Sequence, residues 1–172
     1  LELGIRLLNW SFAWHLFGGE EGVLFADPHG KQFKQRWLDS VFQHCHFISS
    51  YPSLHSSANN HLLGEQLGLF IAATTWPKWP QSLRWQVQAQ KVFEREALAQ
   101  NNSDGVNREQ AIWYHHEVAD MMIIAALVAR ANAVEFSQPF WDRIESMLEF
   151  IASVMDAGGN VPALGDSDDA VM

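Results

Sequence analysis

Asn59, Asn60 and His61 form the first group of residues that could do chemistry, because they lie where an apolar helical pattern begins. Amide and imidazole N–H groups at a helix N-terminus face a region of positive potential. Such a cluster could hold a carboxylate and stabilise further negative charge on it. The alternative is structural: Ser57 or Asn59 caps the helix and His61 is a solvated first-turn residue.

Tyr114, His115 and His116 form the second group, a few residues after Arg108. An ordinary Tyr has a pKa near 10, so it transfers protons usefully only where donors or cations lower that value or a strong acceptor waits. His115 and Arg108 are the neighbours in sequence that could do this. The alternative is a core Tyr with its hydroxyl satisfied, beside two partly exposed His.

Three further groups have some of the residue types of a metal site. His116 and Asp120 share one helical face at i and i+4 but lack a third ligand at a known spacing. His44 and His46, on either side of Cys45, would point about 200° apart on a helix. Asp166, Asp168 and Asp169 form an acidic turn near the C-terminus. This turn resembles a calcium loop but lacks the glycine and the closing Glu of one. We therefore predict no metal and no cofactor.

The elements that must position these residues are all predicted helices. Strand signals are nearly absent, whereas apolar residues recur at steps of three and four. Six helices joined by polar turns predict three antiparallel hairpins, in an α-solenoid or an (α/α) toroid, with a globular six-helix bundle as the alternative. The predicted segments are Leu3–Trp14, Phe33–Ile48, Ala58–Thr75, Trp79–Leu98, Ala111–Ala133 and Ser137–Ala157.

This hairpin arrangement predicts that the third and fifth helices begin at the same end of the domain, because alternate helices are parallel. Asn60, His61 and Tyr114 would then line one cleft, with their polar tips within about 10 Å of one another so that all can reach one ligand. Trp113 or another exposed Trp would border that cleft.

The composition of the 172 residues restricts the function classes. With 48% hydrophobic and 18% charged residues the chain is neither a disordered tail nor a coiled coil. A net charge of −9 argues against nucleic acid as a partner. The longest apolar run, Met121 to Ala129, is too short to span a bilayer. Eight Trp predict either an aromatic core or a sugar-stacking cleft. We expect the chain to be part of a longer protein, because it lacks an initiator Met.

Four segments carry more specific patterns: Arg6–Trp10, S-x-x-N-N-H-L-L-x-E-x-x-G-L at Ser56–Leu69, D-G-x-x-x-E-Q-x-x-x-Y-H at Asp104–His115, and G-D-S-D-D at Gly165–Asp169. Together and in this order they resemble the heparinase II/III family of polysaccharide lyases.

The resemblance implies that residues 1–172 are part of an incomplete (α/α) toroid, followed in the full-length protein by a C-terminal β-sandwich domain. It implies a periplasmic or secreted lyase that acts by β-elimination on a uronic-acid polysaccharide such as heparan sulfate or alginate. Asn60 would neutralise the uronate carboxylate with help from His61, and Tyr114 would be the catalytic base or acid. A further His or Tyr would come from the β domain, so the chain alone is expected to be inactive. The expected substrate-binding residues are Asn59, Glu109, Gln110, Trp113 and His115.

Two other functions stay open on the sequence. One is a carbohydrate-binding or scaffold domain of the same fold without catalysis. The other is an (α/α)-barrel glycoside hydrolase, which needs two carboxylates flanking one bond. The net charge also favours non-sulfated uronates or other acidic glycans over a heavily sulfated substrate. The candidate carboxylates for a hydrolase are Glu65, Glu109, Glu117 and Asp120.

Overall fold

The computed structural model describes residues 1–165, in which six α-helices account for most of the chain. The acidic turn with Asp166, Asp168 and Asp169 lies outside the described residues. No strand occurs within the described residues, where a single isolated bridge joins Asn101 and Asn107. The all-α prediction is therefore confirmed. The helices are α1 Glu2–Leu16, α2 Pro28–Ser50, α3 Asn60–Thr75, α4 Ser82–Gln100, α5 Ile112–Ala131 and α6 Gln138–Val154.

The odd-numbered helices form an inner layer in which α3 packs between α1 and α5. Thirteen residues of α3 are buried, including polar ones, because the helix is covered on most sides. The other three helices pack outside this layer: α2 against α1 and α3, α4 against α3 and α6, and α6 against α5. The amphipathic sequence of these outer helices leaves one face in solvent.

Contacts along the helices establish their directions. Near the start of α1, Gly4 meets Gly64 and Gly68 of α3. At the start of α3, Asn60 bonds Glu117 of α5. Residues from the ends of the same three helices line one cavity. Thus α1, α3 and α5 run parallel and begin at one end of the domain, which confirms the predicted relation between the third and fifth helices. Closure of the hairpins into a curved toroid stays a prediction.

The outer helices run back along their partners. Arg6 of α1 bonds His44 late in α2, and Trp14 contacts Trp37 earlier in α2. Gln86 near the start of α4 bonds Thr74 at the end of α3. His115 in the first turn of α5 bonds Met147 in the second half of α6. The six helices therefore form three successive antiparallel hairpins, as predicted.

Several helix boundaries differ from the predicted ones, and two of these differences have a clear local reason. The fourth helix was expected to start at Trp79-Pro80 but begins at Ser82, because these residues form a turn in which the Ser82 hydroxyl accepts from the Trp79 N–H and donates to the Trp76 carbonyl. The sixth helix begins with Pro139 in its first turn as predicted, but it ends at Val154 rather than Ala157. There the Asp156 carboxylate accepts from the N–H groups of Gly158 and Asn160.

Most of the eight Trp belong to the core. Trp14, Trp76 and Trp85 are buried, and Trp14 contacts Phe25, Trp37 and Trp76 at ring-centroid distances of 5.2 to 6.0 Å. The core interpretation of the Trp content is therefore correct for these residues. Among residues 1–165, none of the helices combines the length and apolar character needed to cross a bilayer.

Candidate functional site

The start of α3 combines a helix cap with the first candidate group. Asn59 is the N-cap, and its Oδ1 accepts a 3.1 Å hydrogen bond from the His61 backbone N–H. Asn60 is the first helical residue and is only 4% exposed, whereas the His61 side chain is exposed. The capping interpretation is thus correct for Asn59. It leaves the side chains of Asn60 and His61 available for other roles.

Two carboxylates hold Asn60. Its side-chain Nδ2 donates to Glu117 Oε2 at 2.9 Å, and its backbone N–H donates to Glu109 Oε1 at 3.3 Å. An ionised carboxylate can only accept, so the bond to Glu117 determines which way the amide faces. Glu109 lies just before α5 and Glu117 lies in its second turn. The start of α3 is therefore attached to the start of α5 from two sides.

The loop from α4 to α5 is ordered by a buried pair of asparagines. Asn107 Nδ2 donates to Asn101 Oδ1 at 2.9 Å, and both residues are 1% exposed. Asn107 Oδ1 then accepts from the Glu109 N–H at 2.9 Å, which places Glu109 next to Asn60. Gly105 has φ +86° and packs on the Ser146 backbone of α6, where a side chain would clash. Asn101 and Asn107 carry no signal in the sequence that marks them as a pair; the buried, mutually bonded pair is visible only in the fold.

His115 faces the interior of the domain. It is 2% exposed, its Nδ1 lies 3.4 Å from the Asn107 N–H, and its Nε2 lies 3.1 Å from the Met147 carbonyl. Since Nδ1 accepts, the neutral ring carries its proton on Nε2 and donates it to Met147. Burial lowers the pKa of His115, which favours this neutral form. In this structure His115 joins the loop to α6, and its ring nitrogens are occupied by the chain itself.

The remaining predicted site residues lie at the start of α5. Tyr114 is half-buried in the first turn, one turn before Glu117, so it lies on the part of the helix that approaches Asn60. All eight Trp lie within the described residues 1–165, and Trp113 is the only one of them that is exposed, at 36%. Its ring packs edge-on against His116, with 5.9 Å between the ring centroids. Gln110 is exposed and has φ +54°, a left-handed conformation that is costly for a residue with a side chain.

Residues 1–171 match the family described as "Heparinase II/III N-terminus". The chain belongs to this family. The resemblance stated from the four sequence segments is thereby confirmed.

Curated relatives of this heparinase II/III N-terminal domain include two described as "Heparin-sulfate lyase". The protein of Pedobacter heparinus is 27% identical over 174 residues, covering 96% of this chain and 26% of the relative. The protein of Bacteroides stercoris is 27% identical over 170 residues, covering 97% and 24%. The chain therefore spans about a quarter of the length of the curated relatives that it matches.

Solved structures share the fold of the heparinase II/III N-terminal domain. A crystal structure of heparinase III has a TM-score of 0.78 at 20% identity, over 90% of this chain and 23% of that one. Heparan sulfate lyase HepC from Pedobacter heparinus has a TM-score of 0.71 at 23% identity, over 94% and 24%. At these identities the comparison supports the all-helical architecture alone.

Three of the four carboxylates considered for a hydrolase have other partners in the heparinase II/III N-terminal domain. Glu65 accepts from the N–H and the hydroxyl of Ser53 at 2.8 and 2.6 Å. Glu109 and Glu117 bond Asn60, and Asp120 is exposed. In the part of the chain that the structure describes, no three His, Cys, Asp or Glu side chains are grouped closely enough to hold a metal ion.

Proposed function

We propose that this chain is the helical part of a polysaccharide lyase that cleaves an acidic, uronic-acid-containing polysaccharide by β-elimination. The observation that carries the proposal is the attachment of Asn60 to the start of α5, where Tyr114 lies. Asn60 and Tyr114 thus both lie at the end of the inner helices where α3 and α5 begin, which supports a shared role. An amide and a phenol are the groups that such an elimination needs.

The chemistry requires the negative charge of the uronate carboxylate to be masked. The proton at C5 is next to this carboxylate, and it becomes acidic enough to remove only when the enolate-like dianion is stabilised. An amide has two N–H donors, of which Glu117 takes one. In the proposal the other donates to the substrate carboxylate with help from the exposed His61. Tyr114 takes the C5 proton or delivers one to the leaving glycosidic oxygen.

The proposed substrate class and the remaining site residues rest on the relation to the heparinase II/III family. The names of the two curated relatives support an acidic glycan. The net charge of −9 favours a weakly sulfated or non-sulfated uronate over a densely sulfated one. Trp113, Gln110 and Asn59 would contact neighbouring sugar units. We expect a C-terminal β domain to complete the cleft, an (α/α) toroid to frame it, and a periplasmic or secreted location.

The test uses the full-length protein that contains this chain. It is incubated with uronate polysaccharides, and the ultraviolet absorbance of the unsaturated sugar product is followed. Asn60→Ala should lower kcat by about 10²- to 10³-fold, the usual cost of removing one donor to a developing oxyanion. Tyr114→Phe should lower kcat strongly as well. The matched controls are Asn132→Ala at the far end of α5 and Tyr51→Phe on an exposed loop.

The outcomes separate the proposed lyase from its alternatives. Full activity in Asn60→Ala or Tyr114→Phe would refute the roles given to those residues. New reducing ends without an unsaturated product would indicate a hydrolase. Binding of the polysaccharide without any product would indicate a carbohydrate-binding domain.

A further inference from the structure

We propose that Glu117 is a positioning residue of the lyase reaction: its carboxylate holds the Asn60 amide in the orientation that presents an N–H group to the substrate carboxylate. This inference rests on the proposed function. The sequence offers Glu117 only as one of four candidate carboxylates for a hydrolase, and the family relation assigns it no role in a lyase. It is carried by the 2.9 Å bond from Asn60 Nδ2 to Glu117 Oε2.

The amide of Asn60 would have two possible orientations without this bond. Rotating the amide by 180° exchanges its oxygen and its NH₂ group, and only the NH₂ group can neutralise an anion. The flipped orientation would place the Asn60 oxygen against a Glu117 oxygen, so that two acceptors face each other. Because Asn60 is almost fully buried, water cannot compensate for this loss. Glu117 thus selects the orientation that the proposed chemistry needs.

The two carboxylates at Asn60 bind different parts of this residue. Glu109 accepts from the backbone N–H of Asn60 and so holds the first turn of α3, whatever side chain residue 60 carries. Glu117 accepts from the side chain of Asn60. A substitution at Glu117 therefore changes the amide orientation and leaves the attachment of the helix in place.

The position of Glu117 on α5 gives the bond a second consequence. Residue 117 follows Tyr114 by three positions, so both side chains lie on neighbouring parts of one helical face. The bond from α3 to Glu117 therefore holds the amide donor against the part of α5 that carries Tyr114. Since misplacement by about 1 Å can cost two orders of magnitude in rate, this separation matters for turnover.

The experiment compares Glu117→Gln with Asp120→Asn in the full-length protein. Both substitutions remove one carboxylate from α5 at constant size, but Asp120 is exposed and lies outside the contact with Asn60. Glutamine can either accept from or donate to the Asn60 amide, so both orientations become possible. We expect Glu117→Gln to lower kcat by about 10- to 100-fold with KM changed less than about threefold. Asp120→Asn should leave both constants unchanged.

A double-mutant cycle with Asn60→Ala distinguishes positioning from a general structural effect. If Glu117 acts through Asn60, then Glu117→Gln has no further effect on kcat once Asn60 is alanine. An equal loss of kcat in both backgrounds would overturn the inference, as would wild-type kcat in Glu117→Gln. Full activity in Asn60→Ala alone would instead refute the proposed function, so the two failures are distinguishable.

A readout independent of activity accompanies the kinetics. In full-length protein labelled with ¹⁵N-asparagine, the side-chain NH₂ resonances of Asn60 should move in Glu117→Gln and stay in place in Asp120→Asn. The Asn60→Ala spectrum identifies these resonances by their loss. Unmoved Asn60 resonances in Glu117→Gln would contradict the bond itself.

Discussion

The close crossing of α1 over α3 makes Gly4→Ala a severe substitution. A Cβ atom added at Gly4 would lie 2.7 Å from the carbonyl carbon of Gly64 and 2.9 Å from the Cα of Glu65. The shorter of these distances is about 0.7 Å below the 3.4 Å at which ordinary contacts begin. Both neighbours are backbone atoms, so no side chain can rotate away and the two helices must move apart.

The expected magnitude follows from two opposed terms. In an unobstructed helix, Gly→Ala would stabilise the fold by about 1 kcal/mol. Overpacking a core typically costs about 1–3 kcal/mol, and a contact between two backbones falls at or above the upper end of this range. We therefore expect a net loss of about 2 kcal/mol in the free energy of unfolding. For a domain of this size that corresponds to a decrease in Tm of roughly 4–8 °C.

The assay is thermal and urea unfolding followed by circular dichroism, with Gly64→Ala as the matched control. A Cβ at Gly64 would meet the end of the Leu1 side chain, which can rotate, and the Met121 Cε at 3.4 Å. This variant should lose less stability than Gly4→Ala. Gly68→Ala should resemble Gly4→Ala, because its Cβ would meet the Gly4 backbone. A Tm for Gly4→Ala equal to or above that of the wild type would refute the close crossing.

Two further predictions follow from buried titratable groups. Burial lowers the pKa of His115 below its ordinary 6.5, so below that pH the unfolded chain binds a proton that the folded chain does not. The free energy of unfolding should therefore fall with decreasing pH, by at most about 1.4 kcal/mol per pH unit from this residue. In urea titrations between pH 7 and pH 5, the free energy of unfolding of His115→Gln should depend less on pH than that of the wild type. An equal pH dependence in both proteins would contradict the lowered pKa of His115. Burial also raises the pKa of Cys45 to about 12. A thiol reagent at pH 8 should therefore label Cys45 only in denaturant. Rapid labelling of the folded chain would contradict the burial of Cys45.

The helices of the fold could be predicted because their signals are local. Pro139 lies in the first turn of α6 and Asn59 caps α3, as their residue types indicate. Such preferences act over three or four residues, so they are readable without the fold. The polar segments at the starts of α3 and α5, taken in order with the others, were also enough to indicate the family.

The roles of individual site residues depended on which way each helix faces. Helices α3 and α5 carry apolar residues on most sides, so periodicity cannot say which polar side chain faces its neighbour. The inward position of His115 and the bond between Asn60 and Glu117 both follow from the rotation of α5 against the elements around it.

The sequence by itself determined the helical class, the main caps and turns, and the segments in which site residues are found. The tertiary structure decided the partners of Asn60, the loop held by Asn101 and Asn107, and the packing of most Trp in or against the core. The physical reason is the range of the interactions. Caps and helical periodicity arise between residues close in sequence, whereas Asn60 and Glu117 are 57 positions apart and meet only because packing sets the parallel inner helices in register.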